Sequence, residues 1–295
     1  MVLTTAEQKT PLHRSIEPLE LLARFSWEWA PLLCDSDHGC RDYHRCWSAV
    51  RLFHKDGALP AGYDFFKNQF ADLVSQGRNR VLISGAADTG LMSLVCAVFE
   101  SLGAEPDIVF VDRCRTTVTQ NQILANYLGL RADIRQGDVR NIECMPVDAV
   151  IAHSFLVFFP EPARREVIDA WGRVLKTGGK VLMSANVARY ENTKKPPKDE
   201  SQILEGQAAL VHTAREKGFG EVDALQLGEI AGQLWRNLTT FEPQLTEEFL
   251  ANAFRKANLR ISEVSLRDQM SLGPLAAFRQ PSELIQRGEV VGIRE

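Results

Sequence analysis

Apolar residues along this chain follow three successive rhythms. Over residues 1–78 they recur at helical spacing. Ile16–Trp29 carries Leu19, Leu22, Ala23 and Phe25, with Ala30 just beyond, and Arg41–Phe53 carries Tyr43, Cys46, Trp47, Val50 and Phe53. Pro60 and Gly62 then punctuate, and Asp64–Val74 predicts a third helix. Over 80–187 short apolar runs alternate with helical patterns. Strands are predicted at Val81–Ser84, Asp107–Val111, Ala132–Gln136, Ala149–His153 and Lys180–Ser184. Helices are predicted at Gly90–Leu102, Arg115–Leu128 and Pro162–Leu175, the last with Pro162 near its start and Gly178-Gly179 past its end. Residues 188–244 break the alternation. A polar Lys194–Lys198 loop precedes helices over Glu200–Glu216 and Leu227–Leu238. A helix over Thr246–Ala257 and strands over Leu259–Leu266 and Glu289–Ile293 complete the chain.

Strand–helix alternation with short connections predicts an α/β protein built on a doubly wound, Rossmann-like sheet of about seven strands. Residues 1–78 form an N-terminal helical cap or lid in this reading. Residues 79–295 form the main domain, with 188–244 as a helical insertion after the fifth strand.

Composition narrows the function. The chain has 295 residues, 45% hydrophobic, with a formal net charge of −4. That length provides an ample core, and mild acidity argues against a nucleic-acid partner. No run of apolar residues is long enough to span a membrane, and the first residues lack a basic-then-apolar leader pattern. The six cysteines form no CxxC pair, which fits a reduced, cytoplasmic protein. Cys34, His38, Cys40, His44 and Cys46 raise the question of zinc, but their spacing matches no common zinc module, so no metal site is predicted. Lys194, Lys195 and Lys198 read as a solvated loop. The oligomeric state stays open, a homo-oligomer included.

The chemistry concentrates at Arg80–Gly90, RVLISGAADTG, and at Asp112. A strand runs into a Gly- and Ala-rich turn at a helix N-terminus, where backbone N–H groups point outward. A second strand ends on Asp112, placed to accept hydrogen bonds from a ribose diol. A phosphate-binding P-loop would need Lys and Ser or Thr after Gly90, and Leu91-Met92 stand there instead. A dinucleotide loop would need a second Gly where Ala86-Ala87 stand, and the loop holds no Lys or Arg. S-adenosylmethionine carries no phosphate and asks only for small residues at the loop.

With Gly137-Asp138-Val139 after the third strand, Asp148–His153 as the fourth, and Val174–Met183 (VLKTGGKVLM) entering the fifth, this region resembles the class I S-adenosylmethionine-dependent methyltransferases. The resemblance covers roughly 80–187, with the 246–266 helix and strand as the usual tail. Its turn is similar to the GAADxG-type turn of bacterial small-molecule enzymes. It implies that Gly85, Ala86, Ala87 and Gly90 line the methionine portion of the cofactor. Asp112 would bind the ribose hydroxyls, with Arg113 beside the adenine. Asp138 would accept from the adenine amino group, with Val139 on the ring. His153 and Ser154 would face the sulfonium and the acceptor. Ser84, where the family often has an acid, and Ala87, where it often has Gly, depart from the pattern.

The expected reaction is in-line methyl transfer to a small-molecule acceptor (amino acid, thioether, amine or hydroxyl) in a closed pocket. His153 is the candidate base for an acceptor that loses a proton. Tyr43, Trp47 and Arg51 share a helix face and are candidates for closing the pocket, with Arg51 or Tyr43 on the cofactor carboxylate and Trp47 near the sulfonium. Two alternatives remain: an NAD-dependent oxidoreductase, and a methyltransferase fold that binds cofactor without transferring a methyl group.

Overall fold

The computed structural model describes residues 18–35, 39–53, 62–190, 199–237, 245–267 and 285–295. Three helices lead: α1 (Leu19–Leu33), α2 (Cys40–Phe53) and α3 (Tyr63–Ser75). Then β1 (Arg80–Ser84), α4 (Gly90–Ser101), β2 (Asp107–Asp112), α5 (Arg115–Leu128), β3 (Ala132–Gln136), β4 (Val147–His153), α6 (Glu161–Val174) and β5 (Leu175–Ala188) alternate. A helical hairpin follows, α7 (Glu200–Glu216) and α8 (Glu221–Asn237). The last elements are α9 (Glu247–Lys256), β6 (Leu259–Arg267) and β7 (Ile285–Arg294).

The strands form one seven-stranded sheet in the order β3-β2-β1-β4-β5-β7-β6. Strands β1 to β5 are parallel, and β7 inserts antiparallel between β5 and β6. The order reverses at β1, whose neighbours are β2 and β4, and such a switch point is where doubly wound sheets place a ligand crevice, outside the carboxyl ends of the strands. Alternation along the strands feeds two cores. On one face Ile83, Phe110, Ile151, Leu182 and Val291 pack against Phe66 and Phe70 of α3 and Phe99 of α4. On the other, Leu82, Val150 and Val181 pack against Trp171 of α6 and Phe254 of α9. Asp148, buried at the start of β4, ties three strands together. It accepts the Arg80 N–H at 3.0 Å and the Lys176 ammonium at 2.9 Å.

A third, smaller core lies off the sheet. Trp27 of α1 and Cys46 of α2 pack with Ile203 and Leu210 of α7 and Ala224, Leu227 and Ile230 of α8. At Gly228 a Cβ would come within 2.5 Å of Val211, so glycine lets α7 and α8 approach closely.

Several predicted boundaries differ from those observed: α1 runs on to Leu33 rather than Trp29, and β5 covers Leu175–Ala188 rather than Lys180–Ser184 because pairing with β4 and β7 carries it past its apolar run. Helix α8 starts at Glu221 rather than Leu227, because Glu221 and Asp223 complement the positive end of the helix. Strand β7 starts at Ile285 rather than Glu289. Its polar residues Arg287 and Glu289 find ladder partners on both sides and Gln286 finds one on β5, so pairing rather than apolarity marks its first half.

Candidate functional site

The Gly85 loop leaves β1 through a left-handed residue. Gly85 has φ +69°, and its N–H donates to Val111 O at 3.0 Å, which bends the chain toward β2. A Cβ there would come within 2.1 Å of the Phe155 ring, so glycine is required on steric as well as conformational grounds. Ala86 N–H donates to Asp112 Oδ2 at 3.0 Å. Asp88 is buried, and its Oδ1 accepts the Gly90 N–H at 2.8 Å, fixing the turn into α4.

Asp112 ends β2 as expected, and its second oxygen accepts the Cys114 N–H at 2.7 Å. Burial pushes its carboxyl up, against the hydrogen bonds from Cys114 and Ala86. Ser84, the departure from the acidic pattern, is fully buried, and its hydroxyl accepts the Trp171 indole N–H at 2.8 Å. Ser84 is therefore committed to the α6 layer and not to the crevice. Arg113 is exposed beside the crevice.

Asp138 caps a short 3₁₀ turn, Val139–Asn141, accepting the Arg140 N–H at 3.0 Å. The Arg140 guanidinium also grips both carboxylate oxygens, at 3.0 Å from Nε and 2.6 Å from Nη2, and holds the Asp138 carboxyl below its usual range. Val139 is buried in the α6-side core.

His153 closes β4 opposite Ser184 of β5 and is half-buried. Ser154 takes a left-handed backbone, φ 52°, uncommon for a residue with a Cβ. Its N–H donates to Ser184 O at 2.7 Å, and its hydroxyl accepts from Arg287 Nη1 at 2.7 Å. Arg287 of β7 also donates to the Ser184 hydroxyl at 2.8 Å and carbonyl at 3.1 Å. Sequence reasoning missed Arg287, because it lies before the apolar run that marked β7. Its two-residue spacing from Glu289 and Val291 was the available signal.

The N-terminal helices reach this crevice. The Tyr43 ring meets Phe158 edge-on at 5.5 Å and Trp47 at 6.1 Å. Burial, then the negative charges of Asp88 and Asp112, push its phenol up. Trp47 packs on the α1–α2–α7–α8 core. The Arg51 side chain lies outside the described residues. His44 Nδ1 lies 2.8 Å from Ala87 O. A carbonyl only accepts, so Nδ1 carries the proton.

The cysteines regroup. Cys34, Cys40 and His44 meet Cys114 from the start of α5, while Cys46 packs with Trp27 and His38 lies outside the described residues. Cys114 was missed as a member of this set because 69 residues separate it from His44 in the sequence and only the fold joins them. A polar cleft of about 530 Å³ between α3 and the β6–β7 edge, lined by Asp64, Asn68, Glu263, Arg267 and Glu289, shares no residue with the Gly85 loop.

No family model matches the chain, and no curated protein matches its sequence. Solved structures do match its backbone. A geranyl diphosphate methyltransferase in complex with SAM is 11% identical over 88% of this chain and 93% of its own, with a TM-score of 0.50. A magnesium protoporphyrin IX methyltransferase from Synechocystis with bound SAH is 14% identical over 84% and 94%, with a TM-score of 0.47. An O-methyltransferase family 2 protein from Planctomyces limnophilus, in complex with apigenin, is 14% identical over 78% of this chain, with a TM-score of 0.45. The chain spans only 56% of the length of that last protein. At such identities the likeness is one of fold: the chain has the seven-stranded, Rossmann-like architecture of the geranyl diphosphate methyltransferase structure.

Proposed function

We propose that this chain is an S-adenosylmethionine-dependent methyltransferase acting on a small-molecule acceptor. The observation that carries this reading is the Asp112 carboxylate. It stands at the end of β2, braced by the Ala86 and Cys114 N–H groups across the mouth of a loop of small residues with no cation. A half-buried acid beside a phosphate-free cradle suits a ribose diol attached to a thioether nucleoside better than a pyrophosphate.

The residues at the crevice fit the cofactor. Gly85, Ala86, Ala87 and Gly90 would line its methionine portion, with the Phe155 ring as an apolar wall over Gly85. Asp112 would accept from the ribose hydroxyls. Arg113 and Val139 would flank the adenine, and Asp138, kept ionised by Arg140, would accept from its amino group. Ser84 is occupied by Trp171, so the cofactor's amino group takes its partners from the loop backbone. When bound, S-adenosylmethionine supplies a methyl group already activated on a sulfonium.

This chain's own groups then orient and dehydrate. His153, at the carboxyl end of β4, would take the proton of an oxygen or nitrogen acceptor. Arg287 fixes Ser154 and the β4–β5 edge beside it. Tyr43 and Trp47 would shut the crevice, with Arg51 of the same helix on the cofactor carboxylate. Of the expected division into a 1–78 cap and a 79–295 catalytic domain with the 188–244 insertion, we keep α1 and α2 as the cap and assign α3 to the catalytic domain, because Phe66 and Phe70 pack on the sheet. A lid of α1 and α2 braced by α7 and α8 encloses a small acceptor in the cytoplasm.

The test is turnover. Labelled S-adenosylmethionine is offered with a panel of hydroxyl, amine, thioether and amino-acid acceptors. Label transfer that His153→Gln reduces at least tenfold on a protic acceptor supports the reading. Cofactor binding without transfer to any acceptor would overturn it in favour of a binding protein on the same fold.

A further inference from the structure

We propose that Cys34, Cys40, His44 and Cys114 form a structural Zn²⁺ site that fastens the N-terminal helices to the sheet. The proposal stands independently of the cofactor assignment. One ligating atom from each of the four residues lies within 4.8 Å of all the others. Zinc–sulfur bonds of about 2.3 Å and zinc–nitrogen bonds of about 2.0–2.1 Å place the corners of a tetrahedron about 3.6–3.8 Å apart. Cys34 Sγ and Cys114 Sγ stand 3.4 Å apart, near that spacing and far beyond a disulfide bond. The grouping has the size of a single ion and leaves no room for a cluster whose ligands bind separate metals.

Donor chemistry selects the metal. Three thiols and an imidazole are soft and borderline ligands that favour Zn²⁺ over the hard, oxygen-seeking Mg²⁺ and Ca²⁺. All four corners come from protein, which is the closed pattern of a structural rather than a catalytic site. Cys34, His44 and Cys114 are buried and Cys40 is half-buried, so the ion would be shielded from solvent.

The surroundings are organised for ligation. His44 donates Nδ1–H to Ala87 O, which leaves Nε2 as the nitrogen with a lone pair on the Cys114 side. Metal-bound histidines are oriented in this way by a carbonyl on the other nitrogen. The Thr116 hydroxyl lies 3.1 Å from Cys34 Sγ and can donate to a thiolate. Cys114 is the N-cap of α5, where the helix dipole favours negative sulfur. Cys40 and His44 share one face of α2, one turn apart. Among the described residues, Ala30 is the one buried apolar neighbour of the cysteines in this cluster, beside the Leu22 contact of α1 with the sheet-side core.

The full chain, purified under reducing conditions without chelator, is analysed for metals by mass spectrometry. About one Zn²⁺ per chain is expected. Replacement by Co²⁺ should give the strong visible bands of a tetrahedral ion with a thiolate charge-transfer band. Cys40→Ser and Cys114→Ala should reduce bound metal at least tenfold, while Cys96→Ala and Cys144→Ala, outside the cluster, keep it. If Cys114→Ala fails to fold, stepwise thiol titration of the wild type with a zinc-sensing dye gives the answer: zinc release should track modification of the cluster cysteines. Wild type that neither retains nor takes up Zn²⁺, a Cys34–Cys114 disulfide in its place, or unchanged zinc in Cys40→Ser would each overturn the proposal.

Discussion

Asp112 and Asp138 are both loop-facing acids, yet their surroundings set them to different tasks. Asp112 has one backbone N–H on each oxygen and no guanidinium clasping it among the described residues, so each oxygen keeps a lone pair for a ligand. Asp138 is clasped by Arg140 and held down by it, first by the side-chain hydrogen bonds. A carboxyl depressed in the fold adds stability that is present above its unfolded value of 3.8 and is lost as pH falls through the folded value. Carbon-detected NMR titration of Asp138 should give a midpoint below 3.8 in the wild type and a rise in Arg140→Gln. An unmoved midpoint would show that the pair does not form in solution. At this scale the sequence was legible in placement, since Asp112 and His153 stand at the ends of β2 and β4 where the apolar runs put them. It was illegible at Ser84, whose place is decided by Trp171, 87 residues later, and at Asp138, whose Arg140 partner reads as an ordinary surface cation until the turn brings it round.

The elements were legible because period-two and period-3.6 patterns report directly on which side faces a core. The parallel strands β1 to β4 and the helices between them fall where the alternation placed them, give or take a few residues, while β5 is far longer than its apolar run. What the pattern could not report was pairing with neighbouring strands, which extends β7 through Gln286 on the β5 side and through Arg287 on both sides. Nor could it show which helices share a core, since α1 and α2 meet α7 and α8 across more than 150 residues. Asp148 shows how one side chain can hold several elements. Its carboxylate is 3% exposed, accepts from the β1 backbone and from Lys176, and pairs with Arg78 at 3.4 Å. Removing it leaves the Arg80 N–H unpaired in a half-buried place and strips Lys176 and Arg78 of a partner. Asp148→Ala should therefore lower unfolding stability by about 2–4 kcal/mol in urea titration, with Asp148→Asn recovering part of it. A loss under about 0.5 kcal/mol, the range of ordinary surface changes, would contradict this role.

At the scale of the whole molecule, the crevice lies between a rigid sheet and a helical cap, and the two meet beside the Gly85 loop. His44 bonds to Ala87, and the Cys114 N–H braces Asp112, so the cysteine–histidine cluster and the cradle share backbone. Metal removal by a chelator should therefore weaken S-adenosylhomocysteine binding by between about five- and a hundredfold without unfolding the sheet. Equal affinity in metal-loaded and metal-stripped protein, measured by calorimetry, would show the two sites to be uncoupled. That cap and crevice are linked in this way was not legible in the sequence, because Cys34, Cys40 and His44 find their fourth partner only through the fold. The most direct test of the central claim is calorimetric binding of S-adenosylhomocysteine and of NAD to the wild type and to Asp112→Ala. The account expects S-adenosylhomocysteine to bind the wild type, NAD not to bind, and Asp112→Ala to lose affinity by about 10- to 100-fold, the worth of about 1.5–3 kcal/mol of charged hydrogen bonds. Binding of NAD without S-adenosylhomocysteine, or equal S-adenosylhomocysteine affinity in the variant, would contradict it.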